Sequence, residues 1–184
     1  MNTKEELADK ILMDHDHVTI VIERLCHQLI ETYQDFKDTC IIGIQSKGVA
    51  LANIIHQRLT TILEKEDIEY GKLDITFYRD DFRTRDKPLT ANRTEIDFYL
   101  EGKNVVLVDD VVFTGRTIQS AMTALNHYGR PNRVELLALI DRRFKRDLPI
   151  KTDYVGMRVD SIDNKYVLVQ LESDEDYHVY LKPK

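Results

Sequence analysis

Apolar residues follow two alternating rhythms along this chain, one typical of helices and one typical of short buried strands. Between Asp14 and Tyr33 they recur every three or four positions, which predicts an amphipathic helix. The run CIIGI at residues 40–44 predicts a short strand buried on both faces, and helical spacing returns from Val49 to Leu63. A strand, a loop and a helix in this order form the first unit of a parallel α/β fold.

The second half of the chain repeats this alternation. Five further strands are predicted from apolar or alternating runs: Leu73 to Tyr78, Val105 to Val108, Val134 to Ile140, Tyr166 to Leu171 and His178 to Leu181. A helix is predicted from Thr117 to Tyr128, with Gly129 and Pro131 behind it as stop signals. The pattern predicts a three-layer α/β fold in which helices flank a mostly parallel central sheet. A ligand is expected at the carboxyl ends of its strands.

Length and composition narrow the classes of protein. At roughly 150 residues per domain, 184 residues predict one domain covering residues 1–184. With 42% hydrophobic and 32% charged residues the chain can bury a core, which excludes disordered and fibrous classes. The 26 basic and 32 acidic side chains leave a formal charge of −6, so bulk charge disfavours non-specific binding to nucleic acid or anionic membranes. A local basic patch stays possible.

The cysteines and the apolar runs bear on the compartment. Cys26 and Cys40 lie outside any CxxC spacing, which excludes a disulfide framework and a zinc knuckle and fits a reducing cytoplasm. The first ten residues carry charges of both signs, unlike a signal peptide. The apolar runs also fall far short of the roughly 20 residues that cross a bilayer. We expect a cytoplasmic protein.

The segment VVLVDDVVFTGRT, residues 105–117, concentrates the candidate chemistry. A buried strand leads into Asp109 and Asp110, and Thr114 to Thr117 opens the next helix. Main-chain N–H groups at a helix N-terminus, with hydroxyls and a flexible glycine beside them, suit a phosphate. The two carboxylates suit hydroxyl groups or a hydrated cation. Together they predict a site for a sugar phosphate.

Simpler interpretations and competing phosphate motifs can be compared with this segment. An ordinary strand-to-helix turn with Thr117 as the N-cap would explain parts of it, but not the whole string in this order. No two glycines are separated by a single residue, so a GxGxxG dinucleotide loop is absent. Neither Gly-Lys pair has a glycine five positions upstream, which excludes a P-loop.

The same string is similar to the phosphoribosyl-diphosphate (PRPP) signature of type I phosphoribosyltransferases. Three further stretches, IIGIQSKGVALA, LDITFYRDD and LLALIDRRFKRDLPIKTDYVG, extend the resemblance over nearly the whole chain. Together they resemble the PyrR family, bacterial attenuators of pyrimidine operons that also act as uracil phosphoribosyltransferases. The resemblance implies the type I phosphoribosyltransferase fold with a small hood, and conversion of uracil and PRPP to UMP and pyrophosphate. It also implies Mg²⁺ carried by the substrate and a homo-oligomer, either a dimer or a tetramer.

The resemblance further implies a role for each motif. Asp109 and Asp110 would hold the ribose hydroxyls and, with Arg79, form the catalytic group; either carboxylate is a possible Mg²⁺ ligand. The PRPP- and phosphate-binding residues would be Ser46, Lys47, Gly48, Asp109, Asp110, Val111, Val112, Phe113, Thr114, Gly115, Arg116 and Thr117. The family usually has Arg at position 47, and Lys keeps the charge without the bidentate fork. The charged segment from Arg79 to Lys87 resembles the hood that closes over PRPP and excludes water.

The base side of the pocket is implied by Phe113, Asp141 and Arg142. In the branch of the superfamily that uses 6-oxopurines, an Asp at the position of Phe113 serves the purine N7. A phenyl ring cannot exchange a proton but can pack against a flat base, which disfavours hypoxanthine and guanine. A purine-type transferase is therefore the weaker alternative. For Arg142 an exposed surface charge is the competing interpretation.

RNA binding is the second activity that the resemblance implies. It needs a basic surface, and the candidates are Arg24, His27, Arg142, Arg143, Lys145, Arg146 and Lys151. The exposed face of the first helix also carries Glu23 and Glu31, and Asp147 interrupts the second basic run. The alternative to an enzyme is thus an RNA-binding regulator that binds pyrimidine-leader mRNA and uses the pocket only to sense nucleotides.

Overall fold

A computed structural model describes residues 9–80, 91–160, 165–171 and 176–183 of the chain. The helices in these ranges are α1 (His15–Tyr33), α2 (Lys47–Leu63), α3 (Arg116–Leu125) and one 3₁₀ helix (Thr76–Tyr78). The strands are β1 (Lys10–Met13), β2 (Thr39–Ile44), β3 (Tyr70–Leu73), β4 (Asn104–Val112), β5 (Arg133–Arg143), β6 (Tyr154–Asp160), β7 (Lys165–Gln170) and β8 (His178–Pro183). Across the described ranges, every helix is too short or too polar to span a lipid bilayer.

Five parallel strands form the central sheet in the order β3-β2-β4-β5-β6. Side chains alternate across the middle strand β4, so Val106 and Val108 face the core beneath α1 and α2, whereas Val105 and Leu107 face α3. The strand is buried on both faces because helices cover both sides, which explains its continuous apolar sequence. The predicted three-layer α/β fold with a parallel central sheet is confirmed.

Three antiparallel strands form a second, smaller sheet in the order β1-β8-β7. Its buried residues Val169, Tyr177 and Val179 join the same apolar core as α1 and α2. Lys47, the first residue of α2, donates from Nζ to the main-chain oxygen of Val169 at 3.2 Å. Because α2 follows the carboxyl end of β2, this contact ties the small sheet to the ligand-binding end of the large one.

The prediction of a strand from Leu73 to Tyr78 was wrong. The strand ends at Leu73, and a 3₁₀ helix follows from Thr76 to Tyr78. The reason is local, because the Asp74 carboxylate accepts hydrogen bonds from the main-chain N–H of Thr76 at 3.2 Å and from its hydroxyl at 2.7 Å. An Asp side chain that bonds the backbone two residues later forms a turn in place of an extended strand.

Other element boundaries also differ from the predicted ones. Strands β1 and β6 were missed, and β4 runs on to Val112, so Asp109 and Asp110 lie within this strand and not beyond it. Helix α3 ends at Leu125, three residues before the predicted end. Its last turn tightens there, since the N–H groups of His127 and Tyr128 bond to carbonyls only three residues back.

Helix α1 packs closely against the edge strand β6 at Gly156. A Cβ atom at this position would lie 2.4 Å from the Leu139 carbonyl oxygen and 2.9 Å from Cγ1 of Val21 on α1. Arg24, one turn further along α1, donates to the carbonyl oxygens of Val155 at 3.1 Å and Gly156 at 2.8 Å. The absence of a side chain at residue 156 lets the helix reach the strand.

We predict that Gly156→Ala destabilises the fold. The added methyl group meets backbone on one side and α1 on the other, so the free energy of unfolding should fall by about 1–3 kcal/mol. Urea unfolding followed by circular dichroism measures the change. Arg158→Ala, at an exposed position of the same strand, is the control and should stay within about 0.5 kcal/mol of the wild type. Equal midpoints for the two variants would contradict the packing argument.

Candidate functional site

The carboxyl end of β4 and the first turn of α2 meet at Gly48. A Cβ atom here would lie 2.5 Å from the Val108 carbonyl oxygen and 3.1 Å from Cα of Asp109. Any side chain at residue 48 would therefore push the helix off the strand. The glycine brings the loop that contains Ser46 and Lys47 alongside Asp109, as the predicted site requires. The Gln45–Ser46 peptide bond in this loop is cis.

Asp109 and Asp110 form an acidic pair in which Asp109 is buried and Asp110 is half-buried. Asp109 is only 7% exposed, and its Oδ1 accepts a hydrogen bond from the Asp110 N–H at 3.1 Å. Burial, and next to it the negative charge of Asp110, raises the pKa of Asp109 to about 8. Burial also raises the pKa of Asp110. The folded protein therefore favours the protonated form of Asp109 up to a higher pH than an ordinary Asp.

Two cations face this acidic pair. The positive charge of Lys47 acts to lower the pKa of Asp110, against the larger effect of burial, and Arg79 acts in the same direction on the pKa of Asp109. Lys47 comes from the loop after β2, and Arg79 follows the 3₁₀ helix after β3. The structure thus brings together residues that the sequence analysis grouped as catalytic or pyrophosphate-binding. Of the predicted hood, residues 81–87 lie outside the described residues.

The loop after β4 has the geometry of a phosphate site. Gly115 is the N-cap of α3 with φ of 93°, a left-handed conformation that favours glycine. A Cβ atom at Gly115 would also lie 2.9 Å from Cγ1 of Ile150. The loop borders a cleft of about 160 Å³, lined by Asp109, Val111, Val112, Phe113, Thr114, Gly115, Thr117 and Ile118. Asp109 and the start of α3 therefore face one cavity.

Arg116 departs from the predicted arrangement. Its Nε donates to the Asp147 carboxylate at 3.0 Å, and its guanidinium is also ion-paired with Asp80. The side chain is thus held by two carboxylates outside the cleft, and the main-chain N–H of Arg116 donates to the Thr114 hydroxyl at 3.4 Å. The Thr114 carbonyl oxygen accepts from the N–H of Asp147 at 3.0 Å. This bond connects the loop after β5 to the loop after β4.

The base side of the pocket contains a buried arginine stacked on an aromatic ring. The guanidinium carbon of Arg142 lies 4.1 Å from the centroid of the Phe113 ring, and the residue is 6% exposed. Its NH2 group donates to the Lys165 carbonyl oxygen at 3.0 Å, while Nε has no partner within the part of the chain that the structure describes. Interpreting Arg142 as a surface charge is therefore wrong.

Asp141 supports this wall from behind. Its carboxylate accepts from NH2 of Arg146 at 2.5 Å and from the Thr152 hydroxyl at 3.3 Å. Arg146 also donates to the Phe113 carbonyl oxygen at 2.6 Å. The prediction of Arg146 as an RNA-binding residue is thus corrected, because its guanidinium is hydrogen-bonded to Asp141 and to the Phe113 carbonyl oxygen. An arginine bridging two loops could not be distinguished from a surface cation in the sequence.

The other basic residues lie on or near α1 and the end of β5. Arg24 and His27 are exposed on α1, and the Arg24 guanidinium is partly used on the β6 carbonyls. Arg143 donates to Oδ1 of Asp160 on β6 at 2.9 Å from Nε. Lys145 and Lys151 are also exposed. Arg24 contacts β6 at Val155, and Arg143 contacts it at Asp160. These two contact points are five positions apart, which is roughly 16 Å along the strand.

Asp74 is a site-forming residue that the sequence analysis missed. Its carboxylate bonds the start of the 3₁₀ helix and also accepts from the N–H of Asn92 at 3.2 Å. The signal was present in the sequence, since Asp followed by Thr two positions later is typical of a side-chain-capped turn.

Metal ligands are few at this site. Within residues 9–80, 91–160, 165–171 and 176–183, no three His, Cys, Asp or Glu side chains cluster around a point where a metal ion could bind. The two carboxylates at Asp109 and Asp110 match a magnesium ion that takes most of its ligands from substrate phosphates and water. They do not form a protein cage for a resident ion.

Comparison with known proteins agrees with this geometry. Residues 9–176 match the phosphoribosyl transferase domain family. The chain is 41% identical over 174 residues to the bifunctional protein PyrR of Caldicellulosiruptor bescii, covering 94% of each, and 36% identical over 169 residues to that of Enterococcus faecalis, covering 92% and 90%. The fold is similar to a hypoxanthine phosphoribosyltransferase of Trypanosoma cruzi, with a TM-score of 0.70 and 17% identity over 97% of this chain and 99% of that one.

We predict from the raised pKa of Asp109 that the free energy of unfolding falls as the pH rises. The unfolded chain releases the Asp109 proton near the ordinary pKa of 3.8, whereas the folded protein holds it up to about 8. The contribution of Asp109 protonation to the free energy of unfolding is therefore fully present below pH 4. It is lost progressively as the pH rises to about 8. Asp109→Asn keeps the Oδ1 acceptor without a charge, so at pH 8.5 it should exceed wild-type stability by about 1 kcal/mol or more, about 3 °C in Tm.

Thermal unfolding of the ligand-free proteins at pH 4.5 and pH 8.5 measures this effect. The gain from Asp109→Asn should be larger at the higher pH. Asp67→Asn, at a side chain that is 79% exposed, is the matched control and should show no such growth. A gain that is the same at both pH values would contradict the raised pKa of Asp109.

Proposed function

This chain belongs to the PyrR family of phosphoribosyltransferases, and on that basis we propose that it converts uracil and PRPP to UMP and pyrophosphate. The observation that carries the proposal is the single cleft shared by Asp109 and the N-terminus of α3. A carboxylate for a ribose hydroxyl and the N-terminus of a helix for a phosphate, both bordering one small cavity, fit the ribose 5-phosphate part of PRPP.

Substrate binding relieves the electrostatic cost of the site. The ribose 2′- and 3′-hydroxyls donate to Asp109 and Asp110, which replaces the water that burial removed from these carboxylates. The 5′-phosphate accepts from the main-chain N–H groups of residues 114–117 at the positive end of the α3 dipole. Ser46, Lys47 and Gly48 bind the pyrophosphate, with Lys47 supplying the charge that the family usually obtains from Arg.

The chemical step separates charge, and the site is arranged for that separation. The bond from C1 of the ribose to the pyrophosphate oxygen breaks, the bond from uracil N1 to C1 forms, and the N1 proton is released to solvent water. The ribosyl group is cation-like in between and is stabilised by the two carboxylates, while Lys47 and Arg79 face the departing negative charge. Positioning supplies the remaining rate, since the two reactants are held in one cleft.

Magnesium fits the site as an ion carried by the substrate. Asp109 or Asp110 would be its protein ligand, and the rest of its coordination would come from PRPP oxygens and water. When bound, the ion neutralises part of the pyrophosphate charge.

The base site favours uracil over a purine. Phe113 places an apolar ring where the purine branch uses an ionisable Asp, and the Arg142 guanidinium carbon lies 4.1 Å from the centre of that ring. The aromatic ring suits packing against a small flat base, and among the described residues the buried Nε of Arg142 has no hydrogen-bond partner.

We predict that Asp110→Asn lowers kcat/KM for UMP formation by about 100-fold or more while the fold persists. The variant removes the charge that stabilises the ribosyl cation but keeps the size of the side chain. The assay supplies uracil, PRPP and Mg²⁺ and measures UMP, with hypoxanthine as a competing base that should give little product. Asp67→Asn is the control and should match the wild type. Normal turnover by Asp110→Asn would remove this residue from its role.

Regulation through RNA is the second candidate function. It is supported by the bifunctional PyrR relatives and by five exposed basic positions: Arg24, His27, Arg143, Lys145 and Lys151. Arg24 and His27 are three positions apart on α1 and so lie on one face of the helix. The surface is mixed, because Glu23 and Asp160 lie within it, so RNA recognition here would depend on shape as well as on charge.

We predict UMP-dependent binding of a pyrimidine-leader hairpin that weakens as salt is raised. Lys151→Ala removes one cation that contacts phosphate, so it should reduce the slope of log affinity against log salt by about 0.7–0.9. Filter binding across a salt series, with a scrambled hairpin as the control, measures both effects. Equal retention of the scrambled RNA, or indifference to UMP, would count against a regulatory role.

A further inference from the structure

Asp74 joins two segments that are distant in sequence. The residue is 9% exposed and directly follows β3. Its Oδ1 accepts from the N–H and the hydroxyl of Thr76, whereas its Oδ2 accepts from the N–H of Asn92 at 3.2 Å. Its own N–H donates to the hydroxyl of Thr94 at 3.0 Å. One buried carboxylate thus binds the chain where it leaves β3 and where it returns beside it.

The segment held at Thr76 leads directly to Arg79. Residues 76–78 form one 3₁₀ turn, closed by the N–H of Tyr78 donating to the Ile75 carbonyl oxygen at 2.9 Å. Arg79 is the next residue in the chain. A displacement of Thr76 is transmitted through a single rigid turn to the Arg79 backbone.

The far side of Arg79 is held as well. Asp80 is ion-paired with Arg116, the first residue of α3, and Arg116 is in turn paired with Asp147. Both residues of the Asp80–Arg116 pair are about half exposed, so this attachment is the weaker of the two. The segment that contains Arg79 is therefore held on one side by the buried carboxylate of Asp74. On the other side it is held by the solvent-screened ion pair between Asp80 and Arg116.

We propose that Asp74 is a positioning residue that holds Arg79 opposite Asp109. The inference rests on the proposed function, in which Arg79 faces the charge that develops on the departing pyrophosphate. A carboxylate is needed at residue 74 because both of its oxygens accept hydrogen bonds. In Asp74→Asn one oxygen becomes an NH2 group, which would meet the N–H of Asn92 or of Thr76 donor to donor.

The test is a double-mutant cycle between residues 74 and 79. Asp74→Asn should lower kcat for UMP formation by about 10- to 100-fold, with KM for uracil changed less than about twofold. Arg79→Ala should lower kcat by at least as much. If Asp74 acts through Arg79, Asp74→Asn should add nothing in the Arg79→Ala background. Additive losses, or wild-type kcat in Asp74→Asn, would overturn the proposal.

A milder pair of variants separates positioning from folding. Thr76→Val removes only the hydroxyl bond to Asp74, and Thr76→Ser restores it, so kcat should fall in the first and recover in the second. Thr123→Val is the control, because its hydroxyl bonds only to the Gln119 carbonyl oxygen on the exposed face of α3. A similar loss in Thr76→Val and Thr76→Ser would overturn the role of the carboxylate bond.

Failure of the proposed function has a different signature. If the wild type forms no UMP from uracil, PRPP and Mg²⁺, the transferase assignment is wrong. Calorimetry can then measure the PRPP affinity of the same four proteins: the wild type, the two single variants and the double variant. Asp74→Asn should weaken PRPP binding in the wild-type background and leave it unchanged in the Arg79→Ala background. An equal weakening in both backgrounds would overturn the positioning role on its own.

Discussion

Two adjacent carboxylates at the end of a buried strand constrain the rest of this structure. Burial disfavours a negative charge on either residue, and the charge of Asp110 disfavours one on Asp109, so ionising both in the ligand-free fold carries an electrostatic cost. That cost is tolerable because the parallel sheet around β4 is covered by helices on both faces and has a large apolar core. A substrate that supplies hydroxyl groups and a cation to this pair regains part of the cost as binding free energy.

The surroundings of the pair combine close backbone packing with charges from separate loops. Gly48 lets α2 touch β4, and the loops after β2 and β3 then deliver Lys47 and Arg79 to the carboxylates. On the base side, Arg146 binds both Asp141 and the Phe113 carbonyl oxygen, which holds the aromatic wall that Arg142 covers. These four basic residues lie around the acidic pair and the aromatic wall, although the chain as a whole is acidic.

The arginines of this protein show why charge alone does not identify a binding surface. In the sequence, Arg24 and Arg146 are candidates for an RNA-binding surface, and Arg116 lies in the predicted phosphate-binding string. In the structure Arg24 anchors α1 to the edge strand, Arg116 joins two loops, and Arg146 supports the base wall. Among the other candidates for RNA binding, His27, Lys145 and Lys151 are exposed, whereas Arg143 is ion-paired with Asp160.

Local patterns were sufficient for the fold class and for grouping Asp109 with the start of α3, which border one cleft in the structure. Apolar periodicity is set by which faces are buried, so it predicted the main helices and the central strands; the string from Val105 to Thr117 keeps carboxylates and helix N-terminus adjacent in any parallel α/β unit. The tertiary structure alone decided the rest. Edge strand β6 was missed because Gly156 interrupts its pattern to admit α1, and the attachment of Arg79 depends on Asp74 bonding residues that lie 18 positions further along the chain. Contacts of this kind are formed by side chains meeting across the fold, and no spacing along a single chain encodes which ones will meet.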